Sequence, residues 1–199
     1  MSLVYQSPSI YNTIINLIHG KALKQRYRAI SQEIGEDKKV LELGCGTALL
    51  SAYLETGCEY EGWDLNVKFV DHCRNRGLDV HERNVFDIGS VERQWDVIVI
   101  CDLLHHLVPG HEELLRMAIE NAGKVIVSEP GKSFKPPSFY RPIKHWICTL
   151  IGDYDGINDV GNVHMWDYDH IELTALFERH GSDKVLREGR DVIAVFGTA

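Results

Sequence analysis

VLELGCGTALL, residues Val40 to Leu50, sets a short apolar run directly ahead of the glycine pair Gly44 and Gly46 and then returns to apolar residues. A strand that runs into a glycine turn makes a backbone cradle. Gly44 permits the sharp turn, and Gly46 lets a ligand approach without meeting a side chain. The residues after the turn predict an amphipathic helix ending near Gly57. Its first N–H groups and positive dipole end would face the ligand, where a carboxylate sits well. Glu42, on the strand before the turn, adds a negative charge that suits a cationic centre. A ligand carrying charges of both signs therefore matches this turn.

Working outward, the middle of the chain alternates strands with helices. Lys39 to Leu43, Glu59 to Trp63, Asp79 to Arg83, Asp96 to Ile100 and Lys124 to Ser128 read as strands. Asn66 can cap a helix that stops at Gly77, and His111 to Asn121 forms another. DVIVI and KVIVS are continuous apolar runs, as expected of strands buried on both faces. Such alternation implies an α/β fold with a doubly wound, mostly parallel sheet. Ahead of it, Ser9 to Ile34 predicts one or two helices. Behind it, a helix near Tyr168 to His180 precedes Lys184 to Arg187 and Asp191 to Phe196, which a tight Glu188-Gly189-Arg190 turn makes antiparallel. The reading is one domain of 199 residues: an N-terminal helical cap (1–36), a core (37–130), an insertion (131–166), and a C-terminal helix and hairpin (167–199).

ELGCGT resembles motif I of class I S-adenosylmethionine-dependent methyltransferases, of the small-molecule type. Asp64, in EGWDLN and twenty positions after Gly44, is similar to the acidic residue with which that family holds the ribose hydroxyls. CDLLHHL (Cys101 to Leu107) is similar to the segment after the fourth strand in small-molecule members. The resemblance covers about Val40 to Val127. It implies a Rossmann-like, seven-stranded sheet with a C-terminal antiparallel hairpin, and S-adenosyl-L-methionine as cofactor. The cofactor contacts it implies are Glu42, Gly44, Cys45, Gly46, Asp64, Leu65, the segment Asn84, Val85, Phe86 and Asp87, and Cys101. Spacing favours Asn84 as the adenine contact and charge favours Asp87. Ala48 stands where the family motif has a third glycine. Trp63 reads as core or adenosine-side packing, and Asp102 as the cap of a helical turn.

His105 and His106 follow the fourth strand, where the reacting atoms would lie, and neutral imidazole can take a proton near pH 7. They are the candidate catalytic residues. Adjacent histidines are expected to point apart, and His111 completes no ligand spacing, so no metal is expected. The alternatives are a non-catalytic S-adenosylmethionine-binding module and a nicotinamide-dependent enzyme. The latter would want Gly or Ala where this chain has Leu49.

Composition narrows the partners. The net charge of −8 argues against general nucleic-acid binding. The five cysteines (Cys45, Cys58, Cys73, Cys101, Cys148) form no CxxC pair, which fits a reducing compartment. No secretory signal is read at the N-terminus, and cytoplasmic location is expected. Two basic clusters stand out against the acidic background: Lys21, Lys24, Arg26 and Arg28, and then Lys132, Lys135, Arg141 and Lys144. The second borders an apolar stripe of Tyr140, Ile143, Ile147 and Leu150 in the long insertion after the fifth strand, which reads as a lid. These features point to a small-molecule or lipid-like acceptor and to weak contact with a membrane surface. Tyr27 and Arg28 are further candidates for closing the site. Oligomeric state is not legible.

Overall fold

The computed structural model describes residues 6–92, 95–131 and 166–197. A helical segment α1 (Pro8–Ile34), broken at Gly20, leads into β1 (Lys39–Leu43). The chain continues through β2 (Glu59–Asp64), α2 (Val67–Arg74), β3 (Asp79–Glu82), β4 (Val97–Cys101), α3 (His111–Asn121) and β5 (Lys124–Pro130). After residue 166 come α4 (His170–Arg179), β6 (Lys184–Glu188) and β7 (Asp191–Phe196). The seven strands form one sheet in the order β3-β2-β1-β4-β5-β7-β6. β1 to β5 are parallel, and β7 runs antiparallel to both β5 and β6. The expected α/β sheet and terminal hairpin are thus present. The lid stripe and second basic cluster of the insertion lie outside the described residues.

Period-two alternation sorts the strand residues into two cores. Leu41, Leu43, Ile98, Ile100, Val125 and Val127 face α3 and α4, where Leu114, Leu115, Leu173 and Phe177 are buried against them. Val40, Val97, Val99 and Ile126 face the second half of α1, packed by Leu23, Ile30 and Ile34. Each of these side chains contributes about 1.5–3 kcal/mol through the apolar area it removes from water. Trp63 belongs to the core, fully buried with its indole N–H donating to Glu61 at 2.7 Å.

One local expectation is corrected. The amphipathic helix after the glycine turn is absent: the segment makes only a 3-10 turn at Leu50–Tyr53. Ala48 adopts φ 55°, which interrupts any helical path, and Leu54 is already extended at ψ 143°. Leu50 is buried among the α1 residues, with Leu49, Tyr53 and Leu54 packed against them, so tertiary packing overrides helix propensity here. No helix N-terminus therefore follows the glycine turn; its backbone alone provides the cradle. The first basic cluster is divided by burial. Lys21, Lys24 and Arg28 are exposed, but Arg26 is only 1% exposed and is neutralised inside the protein.

Candidate active site

The order of strands reverses direction between β1 and β4, and ligands in open α/β sheets bind outside the carboxyl ends at such a switch point. A cavity of about 330 Å³ lies there. Its wall is built from the residues that follow β1 (Gly44 to Gly46), β2 (Leu65, Asn66), β3 (Asn84 to Phe86) and β4 (Asp102, Leu103), with Cys101 from the end of β4. Glu42, Asp64 and His106 also line it, as do Tyr11 and Tyr27 from α1. The structure brings together most of the sequence-derived cofactor candidates. Asp87 is not among the lining residues and is exposed, whereas Asn84 lines the cavity and its side chain accepts from the N–H of Phe86 at 3.1 Å. Arg28 is exposed and does not line the cavity; Tyr27 does.

The glycine turn is held by β2. Trp63 C=O accepts from the N–H of Gly44 at 2.8 Å and of Cys45 at 3.0 Å. The Asp64 carboxylate accepts from the N–H of Gly46 at 2.8 Å and of Asn66 at 2.7 Å, so the acidic residue and the turn are one unit. Gly44 has φ 68°, and a Cβ there would come within 2.8 Å of Leu103. That position requires glycine for its backbone, and a side chain there would also displace Leu103. Glu42 is 3% exposed and accepts from the Tyr60 hydroxyl at 2.6 Å. Burial pushes its carboxyl up to about 8, against the opposing pull of that hydrogen bond and of Arg26. Burial also pushes up the thiols of Cys45 and Cys101, so neither is an activated nucleophile.

Two polar networks behind the cavity were not legible in the sequence. Glu129, near the end of β5, is fully buried. Its Oε1 accepts from the N–H groups of Leu103 and Leu104, each at 2.7 Å, and its Oε2 lies 2.7 Å from His105 Nδ1. Because a carboxylate oxygen accepts, Nδ1 of His105 carries a proton. The histidines do not point apart: they share a 3-10 turn, and their rings lie 4.2 Å apart at 36°. The turn divides the pair, for His106 lines the cavity and His105 does not. The one sign of Glu129 in the sequence is an acidic residue closing an otherwise apolar strand, KVIVSE. Among the described residues no group of three or more His, Cys, Asp or Glu is arranged to hold a metal ion.

The second network centres on Arg26 of α1. Its guanidinium meets Asp102 at 2.7 and 2.9 Å and Asp191 at 3.6 Å. Asp102, at φ 52°, is therefore an ion-pair partner rather than a helix cap. Burial raises the Asp191 carboxyl to about 6 even though Arg26 draws it down. Removing one partner of a buried pair strands the other charge, so Arg26→Ala is expected to destabilise the protein by about 3 kcal/mol or more. Without Arg26 the Asp191 carboxyl rises further above its unfolded value. Stability is then lost as pH rises through that higher value, and the deficit grows between pH ~5 and ~8. Urea unfolding at the two pH values tests this, and an equal deficit at both would refute the assignment.

A family model for a methyltransferase domain matches residues 16–185 of this chain. The chain belongs to the methyltransferase family. It is of the class I, S-adenosylmethionine-dependent type that its glycine turn resembles. Two curated relatives are a trans-aconitate 2-methyltransferase of Mycolicibacterium gilvum and a ubiquinone biosynthesis O-methyltransferase of Coxiella burnetii. The first is 31% identical over 119 residues, covering 57% of this chain and 46% of the relative. The second is 27% identical over 135 residues, covering 64% and 55%. This methyltransferase chain spans about half the length of the curated relatives it matches. Among solved structures, magnesium protoporphyrin IX methyltransferase from Synechocystis PCC 6803 with bound S-adenosylhomocysteine (SAH) shares the fold, with a TM-score of 0.54. That match is at 13% identity and covers 87% of this chain and 82% of the other. No helix among the described residues is long and apolar enough to cross a membrane.

Proposed function

We propose that the chain holds S-adenosylmethionine in the cavity at the ends of β1 and β4 and transfers its methyl group to a small-molecule or lipid-like acceptor. The observation that carries this reading is Glu42, a carboxyl buried beside an open glycine turn. A cationic ligand centre compensates that buried carboxyl, and the missing side chain of Gly46 leaves the ligand room to approach the turn. Asp64, which follows the glycine turn by one strand and is bonded to it through the Gly46 N–H, supports the ribose-side role. Asn84 supports the adenine-side role over Asp87, with Leu65, Val85 and Phe86 as apolar walls. Cys45 and Cys101 serve through backbone and shape. The names of the two curated relatives support a small-molecule acceptor, and the free thiols of Cys45, Cys58, Cys73 and Cys101 suit the cytoplasm. Cap, core, insertion and hairpin act as one domain.

Bound S-adenosylmethionine supplies a methyl group already activated by its sulfonium. The chain's residues need only orient the acceptor, exclude water and receive a proton where the acceptor must lose one. In this reading His106 takes that proton, and its position on the cavity wall supports the assignment. His105, held by Glu129, is a positioning residue that stacks on it. His106→Ala is expected to lower turnover about a hundredfold while SAH affinity stays within about twofold of the wild type. Full turnover in that variant would remove His106 from the mechanism. The function itself is tested by calorimetry with S-adenosylmethionine, SAH and the nicotinamide cofactors, followed by labelling of metabolite and lipid extracts with radiolabelled S-adenosylmethionine. Nicotinamide binding in place of SAH binding would overturn the cofactor, and SAH binding with no labelled product would leave a binding module.

A further inference from the structure

We infer that the first half of α1 is the roof of the cofactor cavity, with Tyr11 and Asn12 as its contact residues and the break at Gly20 placing them there. The inference rests on the S-adenosylmethionine reading of the cavity. Asn12 Oδ1 accepts from the Thr47 hydroxyl at 2.6 Å, and Thr47, 1% exposed, is the residue that follows Gly46 in the glycine turn. Tyr11 packs its ring on Phe69 at 5.0 Å and 52°, and both residues line the cavity. The Tyr11 hydroxyl oxygen stands 3.7 Å from where a Cβ on Gly46 would project. The face of Gly46 left open by its missing side chain is thus the face that Tyr11 covers.

The two halves of α1 are anchored differently. The second half buries Leu23, Tyr27, Ile30 and Ile34 and carries the paired Arg26. The first half leaves Leu17 82% exposed and Ile10 46% exposed, and it meets the rest of the fold through Tyr11, Asn12 and the partly buried Ile15. Between them Gly20 has φ 51° and ψ −123°, the mirror image of extended backbone, which glycine alone adopts readily. Nothing lies within 4 Å of a Cβ built there, so the requirement is conformational and not one of space. A side chain at position 20 favours helical φ/ψ, which continues α1 straight and carries Tyr11 and Asn12 off the glycine turn. Loading and release of the cofactor beneath Tyr11 then proceed by rotation of the first half about Gly20.

The test uses SAH as the probe with the full chain, reading its dissociation rate by stopped flow and the rate of limited trypsin cleavage. Lys21 and Lys24 are exposed immediately after the break and report its opening. Saturating SAH is expected to slow cleavage at Lys21 in the wild type. Tyr11→Ala and Gly20→Ala are each expected to speed SAH release about tenfold, or about 1.4 kcal/mol, and to abolish that protection. Ile10→Ser, on the exposed side of the same turn, keeps wild-type release and protection, and circular dichroism shows each variant folded. Wild-type SAH binding with unaltered release in both Tyr11→Ala and Gly20→Ala overturns the roof. No SAH binding by the wild type overturns the cofactor reading and the roof with it.

Discussion

Glu129→Ala is expected to destabilise the protein by about 3 to 5 kcal/mol, because it strands two backbone N–H groups and a histidine that share one buried carboxylate. Leu104 is itself fully buried, so its N–H loses an acceptor inside the protein. The damage falls on the segment after β4, which carries both Leu103 under the glycine turn and His106 at the cavity wall. Glu129→Gln separates structure from proton logic. Its amide oxygen still accepts from Leu103 and Leu104, but its NH₂ must donate to His105 Nδ1, which moves the ring proton to Nε2. The Gln variant should therefore melt near the wild type while nitrogen chemical shifts of His105 report the opposite tautomer. A wild-type melting curve for Glu129→Ala would show that this carboxylate does not hold the segment.

Glu42→Gln is expected to weaken SAH binding about a hundredfold and, at the same time, to stabilise the unliganded protein at high pH. The sign follows from the raised carboxyl. In the unfolded chain it titrates near 4.3, and in the folded unliganded protein at about 8. Its contribution to stability is fully present below the unfolded value and is lost as pH rises through about 8. A glutamine cannot ionise and escapes that loss, and its amide oxygen can still accept from Tyr60. A cationic ligand centre pulls the carboxyl down, so binding to the wild type releases a proton. Wild-type affinity should rise from pH ~6 to ~8 and then flatten, and the variant should lack the part due to Glu42. Titration of the ligand's own amine is common to both proteins and cancels in the comparison. Parallel pH profiles for the two would refute a role for Glu42 in receiving the ligand's charge.

The chain's sequence by itself determined whatever depends on neighbours along the chain. Continuous apolar runs mark β4 and β5 as strands buried on both faces, and the αL requirement at Gly44 marks the turn. These signals suffice for the sheet and the turn; Asp64 and the other cofactor candidates come from the resemblance to a family motif that is itself contiguous along the chain. Only the tertiary structure decided what depends on pairing across the fold. Arg26 and Asp102 are 76 positions apart, and His105 and Glu129 are 24 apart. No periodicity links such partners, because burial lets a charge persist only where the folded chain happens to deliver its counterpart. For that reason Arg26 reads as part of a basic surface and Asp102 as a cap until the strands are assembled. The same holds after Ala48, where burial of Leu50 against α1 outweighs local helix propensity and leaves one 3-10 turn.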